Sequence, residues 1–240
     1  MRSSLILSKR LTNLFHYRLA SSYAVHELQA DVYGAPNEVL KLNHTTTVDA
    51  TQLKGNDVLI QLVGSPINPA DINMVEGKYA LLPPSLPATF GNEGVFQVLD
   101  HRASDEQVRP GDWVIPKKIE WGKWRSHGIV SINDLIKIPS DIGVEAAATL
   151  SVNPCTAYRL LKDFVTLEKG DTVIQNGGNS GVGLAVIQLA KLWNINVVNI
   201  VRNRPQGMDE LIAYLKSFGA EHIYVEEDLR QGLSRISSSF

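Results

Sequence analysis

Asp171–Pro205 reads DTVIQNGGNSGVGLAVIQLAKLWNINVVNIVRNRP, and the reading of this stretch decides the fold. An apolar run (Thr172 to Gln175) leads into a turn that holds Gly177, Gly178, Gly181 and Gly183. A helical pattern and a second apolar run (Asn196 to Val201) follow. Val182, Val186, Leu189 and Trp193 recur at helical spacing and predict the inner stripe of that helix. A further helix over Gly207–Phe218 and a third strand over His222–Val225 continue the alternation. A β-α-β-α-β order predicts half of a parallel, doubly wound sheet.

The turn carries chemistry as well as geometry. Missing Cβ atoms let it close tightly and let a pyrophosphate approach the backbone N–H groups where the helix starts. The spacing is Gly-x-x-Gly-x-Gly, which departs from the strict dinucleotide fingerprint; the strand-turn-helix-strand context is what favours a cofactor over a purely structural turn. After the second strand an NAD site places an acid to receive the ribose hydroxyls. This chain has Arg202, Asn203 and Arg204 there, beginning 21 positions after Gly181. Guanidinium groups bind a 2′-phosphate through charge-assisted, bidentate hydrogen bonds, so the pattern favours NADPH over an ordinary basic loop.

Working outward, the 240 residues can form one large domain or two small ones. Between Tyr23 and Ile138 the chain consists of short β-type runs, clearest at Val58–Val63, Val95–Leu99 and Gly128–Ile132. Eight of the eleven prolines fall between Pro36 and Pro116, which suits a loop-rich barrel. After Pro139 helix formers take over, with Ala157, Leu160, Leu161 and Phe164 at helical spacing. No window reaches the roughly 18 uninterrupted apolar residues of a membrane span. A net charge of −2 gives no reason to expect a nucleic acid as partner.

The first 22 residues are basic, Ser-rich and free of acid, with Arg2, Lys9, Arg10 and Arg18 among them, which is the composition of an organellar transit peptide. The single cysteine, Cys155, excludes internal disulfides and Cys-rich zinc lobes, and it reads as a small packed residue. The six histidines show no clustering, so nothing advertises converging zinc ligands. Asp71 and Glu93 are candidate carboxylates that can equally serve turns or salt bridges. Lys117, Lys118, Lys123 and Arg125 read as a solvated face.

Five segments taken together resemble one family. They are INPADINMVEGKYALLPPSLPATFGNEG (Ile67–Gly94), GDWVIP (Gly111–Pro116), AATLSVNPCTAYRLL (Ala147–Leu161), IQNGGNSGVG (Ile174–Gly183) and VRNRP (Val201–Pro205). The family is the mitochondrial trans-2-enoyl-thioester reductases, in the zinc-independent branch of the medium-chain dehydrogenase/reductase superfamily. The resemblance implies an α/β chain: a GroES-like β-barrel domain over 23–145, then a partial Rossmann doubly wound parallel sheet, strands 1–3, over 146–229. It implies a mitochondrial matrix enzyme of fatty-acid synthesis that binds NADPH and no zinc, acts on enoyl-CoA or enoyl-acyl carrier protein, and forms a homodimer. By the same resemblance Tyr79 is the proton donor and Asn153 approaches the nicotinamide. Asn179, Ser180, Gly181 and Val182 line the phosphates, and Arg202, Asn203 and Arg204 hold the 2′-phosphate. A Gly-His-Glu-Gly run would suit a zinc dehydrogenase; here the imidazole is replaced by the amide of Asn92, a poor zinc ligand.

The implied chemistry needs no metal. Hydride adds to Cβ of the conjugated thioester, negative charge collects on the thioester oxygen, and the protein supplies hydrogen bonds to that oxygen and a proton for Cα. Residue type alone leaves Tyr79 open between that role and packing. Two other readings stay open: a zinc-free NADPH quinone oxidoreductase, and a truncated, non-catalytic isoform of the reductase. The latter arises because the family pattern fades after Leu229 and a polar, Ser-rich tail (230–240) follows. Without a fourth strand, the first strand of the parallel sheet is predicted to lie at an apolar edge.

Overall fold

The computed structural model describes residues 22–102, 108–118 and 121–231. The transit-peptide expectation falls outside the described residues except for Ser22, and the tail expectation falls outside them from 232 onward. The barrel part holds β1 (Ser22–Ala30), α1 (Pro36–Val39), β2 (Lys41–Asp49), β3 (Asp57–Gly64), α2 (Pro69–Val75) and β4 (Ala88–Thr89). It continues through β5 (Val95–His101), β6 (Trp113–Pro116), β7 (His127–Ser131) and β8 (Leu135–Ile138). Two short helices, α3 (Val144–Ala148) and α4 (Asn153–Lys162), lead into the second part. That part holds β9 (Thr172–Asn176), α5 (Gly181–Trp193), β10 (Asn196–Val201), α6 (Met208–Ser217), β11 (His222–Val225) and α7 (Glu226–Gln231).

The barrel is built from an antiparallel sheet in the order β7-β3-β5-β6-β8 and a smaller one in the order β2-β1-β4. β3 is apolar on both faces because both are covered. Val58 and Ile60 pack with Phe96, Val98, Val114 and Val130, while Leu59 meets Leu53 and Leu99 on the other side. Burying each such side chain contributes about 1.5–3 kcal/mol, so this strand anchors the barrel. The solvated face expected for the four basic residues is half right. Lys117 and Lys118 are exposed, but Lys123 is buried. Arg125 bonds to Glu27 at 2.9 Å, and its guanidinium lies 4.4 Å from the Trp121 ring centre. Glu27 and Arg125 also form a backbone bridge, so a largely desolvated ion pair ties β1 to the segment before β7.

The second part is a parallel sheet in the order β11-β10-β9, with strand limits within one residue of those read from the sequence. β9 is an outer strand among the described residues, and Ile174 is 68% exposed, as the edge expectation required. The single inner stripe expected for α5 is corrected. The helix buries two stripes because it lies between α4 and α6. Ala185, Val186 and Ala190 pack against Ala157 and Leu161 of α4, and Ile187 packs with Leu211 and Leu215 of α6. α4 docks by a narrower seam than its apolar pattern suggests: Ala157 and Leu161 are buried, whereas Leu160 and Phe164 are exposed.

The polar pairing that holds the glycine turn onto the sheet had no signature in the sequence. Asn199, fully buried in β10, accepts from Gln175 Nε2 at 2.7 Å and donates to the carbonyl of His222 at 3.1 Å. Gln175 also donates to the Gly183 carbonyl at 3.1 Å. A buried amide network of this kind spans all three strands beneath the turn. At Gly183 a Cβ would fall 2.6 Å from the Gly178 carbonyl oxygen and 2.7 Å from that of Gly177. Those are backbone atoms, which cannot swing aside. Gly183→Ala is therefore expected to lower the unfolding free energy by about 1–3 kcal/mol, measured by urea denaturation. An unchanged midpoint would show that the turn has room for a methyl group.

Candidate functional site

Two cavities flank the start of α4. The first, of about 800 Å³, opens at the carboxyl ends of β9 and β10. Asn176, Gly177, Asn179 and Ser180 form one wall, and Arg202, Asn203 and Arg204 form another. Gly177 has φ +60°, the left-handed conformation that lets the chain leave β9 and reach α5 within a few residues. Ser180 caps α5, its Oγ accepting from the Gly183 N–H at 3.1 Å. The first-turn N–H groups of α5 have no partner inside the helix and make its start an anion-binding end. Arg202 and Arg204 are exposed at the end of β10, as the sequence reading placed them. Glu226, at the start of α7, lines the same cavity and was not foreseen.

The second cavity, of about 450 Å³, is mostly apolar. Leu81, Ile115 and Ile136 line it together with Tyr79, Asn92, Lys123, Ser151, Val152, Cys155 and Thr156. Tyr79, in the loop after α2, is 38% exposed. The expectation of a packed Cys155 is corrected: the thiol is exposed on this wall. The reason is its place in the first turn of α4, on the face turned away from α5. The neighbouring stripe position, Ala157, takes the core contact instead.

Between the cavities lies a junction of buried polar groups. The Glu93 carboxylate accepts from Asn68 Nδ2 at 2.9 Å on one oxygen. On the other it accepts from Ser151 Oγ at 3.1 Å and from the Val152 N–H at 2.8 Å. Asn153 Nδ2 donates to Asn68 Oδ1 at 3.3 Å. The same amide lies so close to Gly181 that a Cβ built there would be 2.8 Å from it. Asn153 thus touches the glycine turn from the barrel side. Gly181 and Val182 stand at this edge and at the start of α5, rather than on the first cavity's wall.

Asp71 is the second buried carboxylate, 1% exposed like Glu93. It accepts the N–H of Asn68 at 2.7 Å and that of Asn92 at 2.8 Å. Burial pushes its carboxyl above the ordinary range, while those two N–H groups and the charge of Lys123 pull the other way. Asp71 takes the turn role that the sequence left possible, closing the capping box at the start of α2, and both acids do their work buried. Among the described residues no group of three or more His, Cys, Asp or Glu side chains is placed to hold a metal ion.

The raised Asp71 value fixes a sign. Between the ordinary carboxylate value and the raised one, the folded protein binds more protons than the unfolded chain, so this group's contribution to stability falls as pH rises. Asp71→Asn does not titrate. The stability of wild type relative to this variant is expected to decline as pH rises above 4, measured by denaturation at pH 4, 5 and 6. A constant difference would contradict the shift.

A family model described as the alcohol dehydrogenase GroES-like domain matches residues 54–140. The chain is 49% identical over 218 residues to the mitochondrial enoyl-[acyl-carrier-protein] reductase of Xenopus tropicalis, covering 91% of this chain and 61% of that protein. It is 46% identical over 220 residues to the Homo sapiens protein of the same name, covering 90% and 58%. The solved complex of Etr1p with NADP and crotonyl-CoA superposes with a TM-score of 0.81 at 33% identity, covering 90% of this chain and 64% of that one. The chain therefore spans about three-fifths of the length of the curated relatives it matches. Their names place them in mitochondria, which supports the same location for this protein. Over about nine-tenths of its length the chain is thus similar in sequence and in fold to the mitochondrial enoyl-[acyl-carrier-protein] reductases, and its barrel part carries the alcohol dehydrogenase GroES-like pattern.

Proposed function

We propose that the chain serves the NADPH-dependent reduction of trans-2-enoyl thioesters, carried on CoA or acyl carrier protein, to saturated acyl thioesters in the mitochondrial matrix. The observation that carries this reading is the junction. Asn153 touches Gly181, next to Ser180 of a cleft walled by two arginines, and bonds to Asn68, which lines an apolar cavity that holds a phenol. The first cleft fits a dinucleotide. Its turn would be filled by a Cβ at Gly183, the start of α5 presents N–H groups, and the two guanidinium groups suit a 2′-phosphate. When bound there, NADPH supplies the hydride.

The chain's own residues do the rest. Asn179 and Ser180 on the cleft wall bind phosphate oxygens, Gly181 and Val182 form the start of α5 behind them, and Arg202, Asn203 and Arg204 select the phosphorylated ribose. Asn153, held by Asn68, orients the nicotinamide end toward the apolar cavity. Leu81, Ile115 and Ile136 receive the acyl portion and exclude water. The Tyr79 hydroxyl donates a hydrogen bond to the thioester oxygen as charge collects there, and it delivers a proton toward Cα. We read this chemistry as independent of zinc because of the donor set. Asn92 offers a neutral amide, and the Asp71 and Glu93 oxygens already accept backbone and side-chain hydrogen bonds.

Titration of the 240-residue chain with NADPH and NADH tests the cofactor half. Arg202→Ala with Arg204→Ala is expected to weaken NADPH binding roughly ten- to a hundred-fold, at about 1.5–3 kcal/mol for charge-assisted hydrogen bonds, and to leave NADH unchanged. Equal effects on both cofactors would remove the arginines from the 2′-phosphate site. For the acyl half, NADPH oxidation with crotonyl-CoA is expected to slow about 10²–10⁴-fold in Tyr79→Phe. Unchanged turnover would take Tyr79 out of the mechanism.

A further inference from the structure

Lys123 is a buried cation that the mechanism above does not use. It is 1% exposed, and burying an ammonium costs several kcal/mol unless other groups answer its charge. Its backbone runs beside the loop that carries Asn92, the Lys123 N–H donating to the Gly91 carbonyl at 2.9 Å and the Trp124 N–H to that of Phe90 at 2.9 Å. Its Nζ donates to the backbone carbonyl of Lys118. Its charge reaches Asp71, whose carboxyl it pulls downward against the effect of burial. The side chain lines the same cavity as Tyr79 and Asn92.

The electrostatics of that cavity pose a problem which Lys123 solves. Asp71 and Glu93, both 1% exposed, hydrogen-bond to residues that line it, Asp71 to Asn68 and Asn92 and Glu93 to Asn68, Ser151 and Val152, so their negative charges oppose any negative charge formed in it. In a partly desolvated site such repulsion reaches several kcal/mol at short range. The proposed reaction puts negative charge on the thioester oxygen there. We propose that Lys123 is a positioning residue of the acyl cavity. Its buried ammonium offsets the two carboxylates and so lets the cavity hold a thioester in its enolate form. The proposal rests on the reading of this cavity as the acyl site.

Two thioesters separate the charge effect from ordinary binding: butyryl-CoA, which stays neutral at its carbonyl, and acetoacetyl-CoA, which ionises to an enolate with its own ultraviolet band. Each is titrated into the full 240-residue chain at one fixed, mildly alkaline pH. Bound acetoacetyl-CoA is expected to show an enolate-to-ketone ratio about tenfold above that of the free ligand, since one pKa unit corresponds to a factor of ten. Lys123→Gln is expected to abolish that enrichment without changing butyryl-CoA affinity, and Lys123→Arg to restore most of it. The wild-type comparison needs no variant and stands even if Lys123→Gln fails to fold. An unchanged enolate ratio on binding, or an equal ratio in wild type and Lys123→Gln, would overturn the role of Lys123 alone. Failure of wild type to bind either thioester would overturn the acyl-site reading, and the proposal with it.

Discussion

The Glu93 carboxylate holds the site together. One oxygen takes the Asn68 side chain from the start of α2, and the other takes Ser151 and the Val152 N–H from the approach to α4. Hydrogen bonds to a charged group contribute about 1.5–3 kcal/mol each, and a buried carboxylate left without them would be costly. Satisfying this one acid therefore sets the position of the first turn of α4 relative to the barrel. Asn153 follows directly in the chain and is carried to the glycine turn. The start of α4 links barrel and glycine turn because a single buried charge is answered from both sides.

The cofactor cleft follows a different logic. Its shape comes from backbone: a left-handed glycine after β9, a hydroxyl cap on α5, and no Cβ where the turn crosses the helix. Its charge comes from the exposed end of β10, where Arg202 and Arg204 stand with Glu226 on the same cavity. A carboxylate beside two guanidinium groups moderates a strongly positive wall and helps orient the arginines before a phosphate arrives. On the proposed function, rigid backbone supplies the phosphate cradle, while side chains at a strand end supply the discrimination.

The parallel half of the fold was legible because its strands are short runs rich in apolar residues that alternate with helical patterns, and their limits hold within a residue. β3, β5 and β7 were visible for a similar reason. β1 and β2 were not delimited, since runs such as KLNHTTTVD are largely exposed along their length and carry little apolar pattern. Tyr79 and Asn153 came from family resemblance: Tyr79 lines the apolar cavity, whereas Asn153 sits at the junction against Gly181, and of the turn residues Asn179 and Ser180 line the first cavity. Asn68, Ser151 and Asn199 escaped notice because a polar pairing between residues 24 to 85 positions apart leaves no local trace. Lys123 and Cys155 were misplaced by the usual habits of their types. Lysine is ordinarily exposed and free cysteine ordinarily buried, and a cavity wall inverts both.

On the proposed function, Glu93, which does not line the arginine-walled cleft, shapes NADPH binding there through Ser151, Val152 and Asn153. Calorimetric titration of NADPH into wild type and Glu93→Gln, with folding of both verified by circular dichroism, tests this most directly. The account requires weaker NADPH binding in Glu93→Gln, with no further loss when Asn153→Ala is added. Equal affinity in wild type and Glu93→Gln, or fully additive losses in the double variant, would contradict it.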